Sequence, residues 1–233
     1  MKISIIVPLY NEEKTILKVI DKLKKVNLGI KKEIIIIDDG SKDNSKNIIE
    51  KYIKKQKKNN NIEYKFKTKE NAGKGSAIKE GIELSTGDVI TIQDADLEYN
   101  PEDFKKLIKP IMQNKAKVVY GSRFLKEHKP MYKIYFLGNK FLSLLTKILY
   151  NSRITDMETC YKVFNVDIIK SIDIKANHFD FEPEITARIL RQGIKIKEIP
   201  ISYNPRSIEE GKKINWKDGL QAIWTLIYWK FKD

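Results

Sequence analysis

The chain has 233 residues, 41% hydrophobic and 33% charged, a balance that fits a folded globular protein and excludes disorder. Its single cysteine, Cys160, excludes an internal disulfide and a cysteine-built zinc cluster, and the uncharged run Gly219 to Trp229 is far short of the ~20 residues of a spanning helix. The formal net charge of +14 favours anionic partners, whether nucleic acid, an anionic membrane face or a phosphate-bearing substrate, without choosing among them.

From the N-terminus, KISIIVP (2–8) reads as an apolar strand. It meets Pro8 and the acids Glu12 and Glu13, which does not fit a signal peptide, so a cytoplasmic chain is expected. In the following NEEKTILKVIDKLKKV, Ile16, Ile20 and Leu23 recur at helical spacing. EIIIID (33–38) is a second strand, ending at the turn DDGS. A polar helix and loop follow to about residue 61, and the run KKQKKNNN within them reads as a solvated helix end. IEYKFKT (62–68) alternates as a half-buried strand does, and GKGSAIKEGIEL resumes helical spacing. DVITIQ (88–93) is the fourth strand, PEDFKKLIKPIM a helix opened by proline, and KVVYGSR (117–123) the fifth strand. Helix-length spacers between short apolar strands imply crossovers, hence an α/β fold with a mostly parallel central sheet and helices on both faces.

The second half is less regular. Residues 132–150 carry Ile134, Leu137, Phe141, Leu145 and Ile148 on one helical stripe. CYKVF is a short strand, FEPEITARILRQG a helix closing on Gly193, and IKIKEIPISY a strand. NWKDGLQAIWTLIYWKF forms a C-terminal helical extension with Trp216, Leu220, Ile223, Trp224, Ile227 and Phe231 on one face. Each stripe either packs on the sheet, the commoner use, or lies in a membrane interface among lysines. No repeat or linker divides the chain, so one domain, 1–233, is expected.

In an open parallel sheet, ligands gather outside the carboxyl ends of the strands. Strand one delivers Pro8, Tyr10, Asn11 and Glu12 there, and strand two Asp38 and Asp39. Strand four delivers Asp94, Asp96 and Glu98, and strand five Ser122 and Arg123. Several acids on one rim raise one another's pKa unless a cation neutralises them. An all-oxygen donor set without histidine or cysteine suits Mg2+ or Mn2+ rather than zinc. Such an ion keeps open positions for substrate phosphates, so the rim reads as a site for metal plus pyrophosphate.

The segments VPLYNEE, IIIDDGSKDNS, NAGKGSAIKEGI, GDVITIQDADLEYNPED, VVYGSRF and TDMETCYKVF occur in this order. Together they resemble family 2 glycosyltransferases of the Rossmann-like GT-A fold, in the branch of the dolichyl-phosphate mannose and glucose synthases, over roughly residues 2 to 215. The resemblance implies that Pro8, Tyr10 and Glu12 hold the nucleoside, with Glu12 on the ribose, and that Asp39 contacts base or ribose. It sets Asp94 near ribose and metal and Asp96 on the metal. Glu98, at a position commonly glutamine in mannose synthases, is a third metal ligand. Arg123 faces the acceptor phosphate or the sugar-phosphate. Arg206 and Lys212 resemble a pair that closes over the donor's phosphates.

The implied reaction moves a hexose, with inversion, from a UDP- or GDP-linked nucleoside diphosphate sugar to a polyprenyl (dolichyl-type) phosphate. Residues 1–123 are then a nucleotide-sugar-binding half, 124–215 an acceptor-side half, and 216–233 an amphipathic helix able to touch the cytoplasmic membrane face. A phosphate acceptor needs no general base, whereas a hydroxyl does. Neither His128 nor His178 lies in a recognised motif, so Asp156 in TDMET is the best catalytic carboxylate, read as positioning the acceptor rather than as a base. The rival enzyme is a soluble transferase acting on a saccharide hydroxyl, with Glu182 or Glu184 as base. No nucleic acid is expected, because the lysines are scattered and no binding module is present. Cys160 reads as a small packed hydrophobe, Gly121 as a close backbone approach, and Lys74 and Gly75 as shaping the turn into a helix beside the nucleotide.

Overall fold

Seven strands form one sheet in the computed structural model, which describes residues 1–56, 60–126, 132–206 and 216–232. They are β1 (Lys2–Leu9), β2 (Lys31–Asp38), β3 (Ile62–Thr68), β4 (Val89–Ile92), β5 (Val118–Ser122), β6 (Lys162–Asn165) and β7 (Ile196–Pro200), in the order β3-β2-β1-β4-β6-β5-β7. β1 lies parallel between β2 and β4, β3 is parallel to β2, and β7 to β5. β6 alone runs antiparallel to both neighbours, β4 and β5. The mostly parallel sheet read from the spacing is therefore present, with one reversed strand whose short apolar run gives no sign of its direction.

The central strands are covered on both faces, which is why they read as unbroken isoleucine runs. Helices α1 (Ile16–Lys25), α2 (Ser45–Lys54) and α3 (Lys74–Leu84) connect the first four strands, and α4 (Phe104–Met112) leads into β5. α1 buries Ile16, Ile20 and Leu23 as their spacing requires, together with Val19. Its C-terminal carbonyls are closed by a side chain from the sheet: the buried Lys32 ammonium donates to Leu23 O, Lys24 O and Val26 O at 2.8, 2.8 and 2.7 Å. Pro101 opens a single 3-10 turn, capped by Asn100, before α4.

The later elements are α5 (Lys133–Tyr150), α6 (Val166–Lys170), α7 (Phe181–Arg191) and α8 (Trp216–Phe231). Here two apolar stripes do not do what such stripes usually do. α5 turns Leu142, Ser143 and Thr146 inward and leaves Ile134, Leu137, Phe141 and Ile148 in solvent, with Leu145 half-buried. α8 likewise buries Ala222, Thr225, Leu226 and Trp229 and exposes Trp216, Leu220, Trp224, Ile227 and Phe231. The inward faces are small or mixed because the two helices approach each other closely, the Tyr150 hydroxyl donating to Leu226 O at 2.6 Å. Among the described residues, no helix is long and apolar enough to cross a membrane.

Candidate active site

The carboxyl ends of β1, β2, β4 and β5 open into one cavity of about 380 Å³. Pro8, Tyr10, Glu12, Asp39, Asp94, Asp96, Glu98, Arg123 and Arg206 all line it. Asn11, Asp38, Ser122 and Asp156 do not, and Lys212 and His128 fall outside the described residues.

Local contacts fix the rim and several of the lining side chains. Asn11 takes a left-handed turn (φ 50°) after β1, and its side chain accepts from Lys42 N at 2.7 Å, tying the end of β1 to the end of β2. Asp39 accepts from Lys69 Nζ at 2.7 Å, Ala72 N at 3.1 Å and Gly73 N at 2.8 Å, so it fixes the loop entering α3. That loop needs glycine at 73: φ is +100°, and a Cβ would sit 2.4 Å from Asn177 O. Lys74, first residue of α3, bridges Asp94 and Glu182, each at 2.9 Å. Burial alone would lower the Lys74 ammonium, but the two carboxylates outweigh it and hold it well above its ordinary pKa. Lys74 thus does more than shape a turn.

Burial, with Asp94 and Glu98 close by, pushes the Asp96 carboxyl up to about 7 against the pull of Arg206. Arg206 joins two strand ends, with Nη1 2.9 Å from Glu12 Oε1 and Nη2 3.8 Å from Asp96. Glu98, expected as a third ligand to the metal, lines the cavity near Asp96 with its carboxylate engaged by protein donors. Its carboxylate accepts from the Tyr203 hydroxyl and from Arg206 N, both at 2.9 Å, and so clasps the segment after β7. No group of three His, Cys, Asp or Glu side chains is gathered for a metal among the described residues.

Asp156, expected to position the acceptor, does not itself line the cavity. It is fully buried and grips Arg123 through Nε (2.8 Å), Nη2 (2.7 Å) and the backbone N–H (2.8 Å). Glu198 of β7 in turn accepts from the backbone of Thr155 and Asp156 at 2.7 and 2.9 Å. Asp156 is therefore a positioning residue, and the arginine it orients is the one at the cavity, 5.1 Å from the Tyr203 ring centroid.

The family model described as "Glycosyl transferase family 2" matches residues 4–173. The chain belongs to glycosyltransferase family 2. A UDP-N-acetylglucosamine–dolichyl-phosphate N-acetylglucosaminyltransferase of Methanococcus voltae is 32% identical over 230 residues, covering 91% of this chain and 90% of that protein. A dolichyl-phosphate beta-glucosyltransferase of Dictyostelium discoideum is 29% identical over 99% of this chain and 74% of its own length. Glucosyl-3-phosphoglycerate synthase from Mycobacterium tuberculosis, crystallised with Mn2+, UDP and glucosyl-3-phosphoglycerate, superposes with TM-score 0.73 at 18% identity, covering 98% of this chain and 79% of that one. The sheet is thus the GT-A fold, and the protein is a glycosyltransferase.

This glycosyltransferase also lines its cavity with side chains that strand-end reasoning passed over. Glu158 and Glu182 meet there, each with one buried carboxylate oxygen lacking a partner, Oε1 and Oε2 respectively. Burial and the nearby Glu182 push the Glu158 carboxyl up to about 8. Below them Lys162 is wholly buried and donates to Met157 O at 2.9 Å. Glu184, by contrast, is turned away, accepting from Lys175 N and Ala176 N at 2.9 and 2.6 Å. Cys160 is buried, as a small hydrophobe would be, but it faces the cavity; burial pushes its thiol well up, away from a nucleophilic thiolate. Glu158 sits two residues beyond Asp156 in TDMET, and that adjacency is the signal that points to it. Taken together, cations at the mouth can hold a polyanion, and unpaired carboxylate oxygens within can accept from hydroxyls.

Proposed function

We propose that this glycosyltransferase moves a hexose, with inversion at the anomeric carbon, from a UDP- or GDP-linked sugar to a polyprenyl phosphate at the cytoplasmic face of a membrane. The observation that carries this reading is the meeting of Asp94 and Asp96 with Lys74, Arg123 and Arg206 in one cavity. Two relatives whose names state dolichyl-phosphate as acceptor support the lipid phosphate. In this reading, residues 1–123 carry the donor and 124–215 the acceptor.

The donor set fits a hard divalent ion, Mg2+ or Mn2+: it is all oxygen, and Asp96 is raised to about 7 by burial and by the neighbouring negative charge of Asp94 and Glu98, which a cation would relieve. Asp94 and Asp96 would hold the ion, which would supply charge stabilisation on the departing diphosphate. Arg206, released from Asp96 and Glu12, turns its guanidinium to the same phosphates, joined by Lys212. Pro8, Tyr10, Glu12 and Asp39 surround the nucleoside. Arg123, locked by Asp156, presents a fixed cation to the acceptor phosphate. Glu158 and Glu182 accept from hexose hydroxyls through the oxygens that lack partners. One acceptor oxygen bonds to the anomeric carbon as the bond to the diphosphate oxygen breaks, the electron pair leaving with the diphosphate. The acceptor oxygen is already anionic, so no proton has to be removed.

A second reading rests on Glu182. Its unpartnered Oε2 at the cavity wall is placed to take a proton from a saccharide hydroxyl, which would make the protein a soluble polysaccharide or glycan transferase.

The test is a panel of nucleotide sugars scored by thermal shift with and without Mn2+, followed by transfer to a polyprenyl phosphate. The cognate donor raises Tm by several degrees only with metal, and Asp96→Ala removes that metal-dependent part. An unchanged shift in Asp96→Ala overturns the metal assignment. Transfer to an oligosaccharide but not to the lipid phosphate replaces the first reading with the second.

A further inference from the structure

Two acids in the wall of the cavity stand apart from the rest of its charge. Glu182, on α7, is 4% exposed; Lys74 occupies its Oε1 at 2.9 Å, while Oε2 has no partner. Glu158, in the segment before β6, is half-buried, with its Oε1 sealed from solvent and equally without a partner. Both line the cavity, so the pair meets whatever fills it.

The cations around Glu158 are committed elsewhere. Lys162 directs its ammonium to Met157 O at 2.9 Å, to Thr159 O and to the Tyr120 ring. Arg123 gives Nε and Nη2 to Asp156, whose own negative charge also bears on Glu158. Lys74 is shared between Asp94 and Glu182. Among the described residues none forms an ion pair with Glu158. An ionised Glu158 would therefore face Glu182 and Asp156 uncompensated, and keeping the proton removes that cost. Burial, and then Glu182, push its carboxyl up to about 8 against the pull of Lys162 and Arg123. Glu182 has in Lys74 the counterion that Glu158 lacks, and it carries the negative charge of the pair.

We propose that Glu158 stands in the cavity as a neutral carboxylic acid that donates a hydrogen bond to the donor sugar while Glu182 accepts one. The pair makes the site selective for uncharged hexoses against hexuronic acids. A hydroxyl both donates and accepts, so neighbouring sugar hydroxyls satisfy the acid and the carboxylate together. The carboxylate of a hexuronic acid brought to the same wall would meet Glu182, whose one ammonium partner is already shared with Asp94. The sugar contact and the selectivity rest on the donor reading given above; the neutral state of Glu158 does not.

The proton is tested first, without ligand. The folded-state carboxyl, at about 8, lies above its ordinary 4.5, so the native state loses stability as the pH rises between those values. Glu158→Gln escapes that loss, and its Tm should gain on the wild type across this window; a difference independent of pH overturns the proposal. In the wild type with Mg2+ and UDP, the infrared carbonyl band of a protonated carboxyl should be present at pH 7 and titrate away near pH 8. Its absence overturns the proposal even if Glu158→Gln does not fold.

The sugar contact is tested by calorimetric titration of the full chain with Mg2+, using UDP, UDP-glucose and UDP-glucuronic acid beside GDP, GDP-mannose and GDP-mannuronic acid. The affinity that the hexose adds over the bare nucleotide should fall about tenfold between pH 7 and pH 9, as the neutral acid is lost. Glu158→Ala should lack that contribution at both pH values, and Glu158→Gln should restore one that no longer varies with pH. The hexuronic donor should bind more than about tenfold more weakly than the hexose donor, and Glu182→Gln should narrow the gap. A hexose contribution equal at both pH values, or a hexuronic donor bound as tightly as the hexose, overturns the proposal and leaves the donor reading standing. Failure of every nucleotide and nucleotide sugar to bind, with the Tm difference and the infrared band as expected, retires the donor reading and keeps the neutral Glu158.

Discussion

Arg123 meets its cavity with no freedom left in its guanidinium, since Asp156 takes Nε and Nη2 and Glu198 holds the backbone that carries Asp156. Such a buried, bidentate pair fixes direction more than it adds stability. The same economy of burial appears far from the site at Glu33, which accepts from Lys65, Ser4 and Thr86 within the sheet. Burial alone would raise the Glu33 carboxyl, but these partners outweigh it and bring it down to about 2, against an ordinary value of 4.5. The folded-state pKa is depressed, so the stabilisation is complete above about 4.5 and is lost as the pH falls toward 2. Glu33→Gln is expected to cost about 1–3 kcal/mol at pH 7. Urea midpoints of the two proteins converge as the pH is lowered from 5 to 2.5; a gap independent of pH would remove the ionised Glu33 from the account.

At the scale of elements, the reversed strand β6 governs what could be read in the sequence. Pro8, Glu12, Asp39, Asp96 and Arg123 were legible as rim residues because each lies at or just beyond the carboxyl end of a parallel strand, and all parallel strands end at the same rim. β6 points the other way, so the residues that reach the rim are those before it, and Glu158 and Cys160 arrive there from its amino-terminal side. A rule about carboxyl ends has no purchase on them. The apolar stripes of α5 and α8 were legible as stripes, but a stripe does not state whether protein or lipid covers it. The close approach at Gly121 was legible too. A Cβ there would meet Ile201 Cγ2 at 2.6 Å and Tyr161 Cβ at 3.1 Å, where β5 lies against the buried Ile201 following β7. Gly121→Ala is expected to lower stability by about 1–3 kcal/mol, a fall in Tm of roughly 2–10 °C. In the Ile201→Ala background the same change should cost less, and strict additivity of the two would contradict the steric cause.

For the whole molecule, most positive charge is spread over solvated surface, yet among the described residues two ammonium groups, those of Lys32 and Lys162, are sealed inside. Lys32 sits in a ring of three carbonyls at the end of α1, and Lys162, the first residue of β6, has its ammonium 4.7 Å from the Tyr120 ring centroid. Burial lowers the pKa of both, and what protects them from reaction is that no reagent can reach them. An amine-acylating pulse read by mass spectrometry should therefore tag exposed Lys51 at once in native buffer and leave Lys32 and Lys162 unmodified. Both should become reactive together at the urea concentration that unfolds the sheet, whereas native-buffer tagging of Lys32 at the rate of Lys51 would mean that the carbonyl ring is open. Because the two amines lie in opposite halves of the chain, their joint or separate acylation reports whether the protein opens as one cooperative body or in pieces.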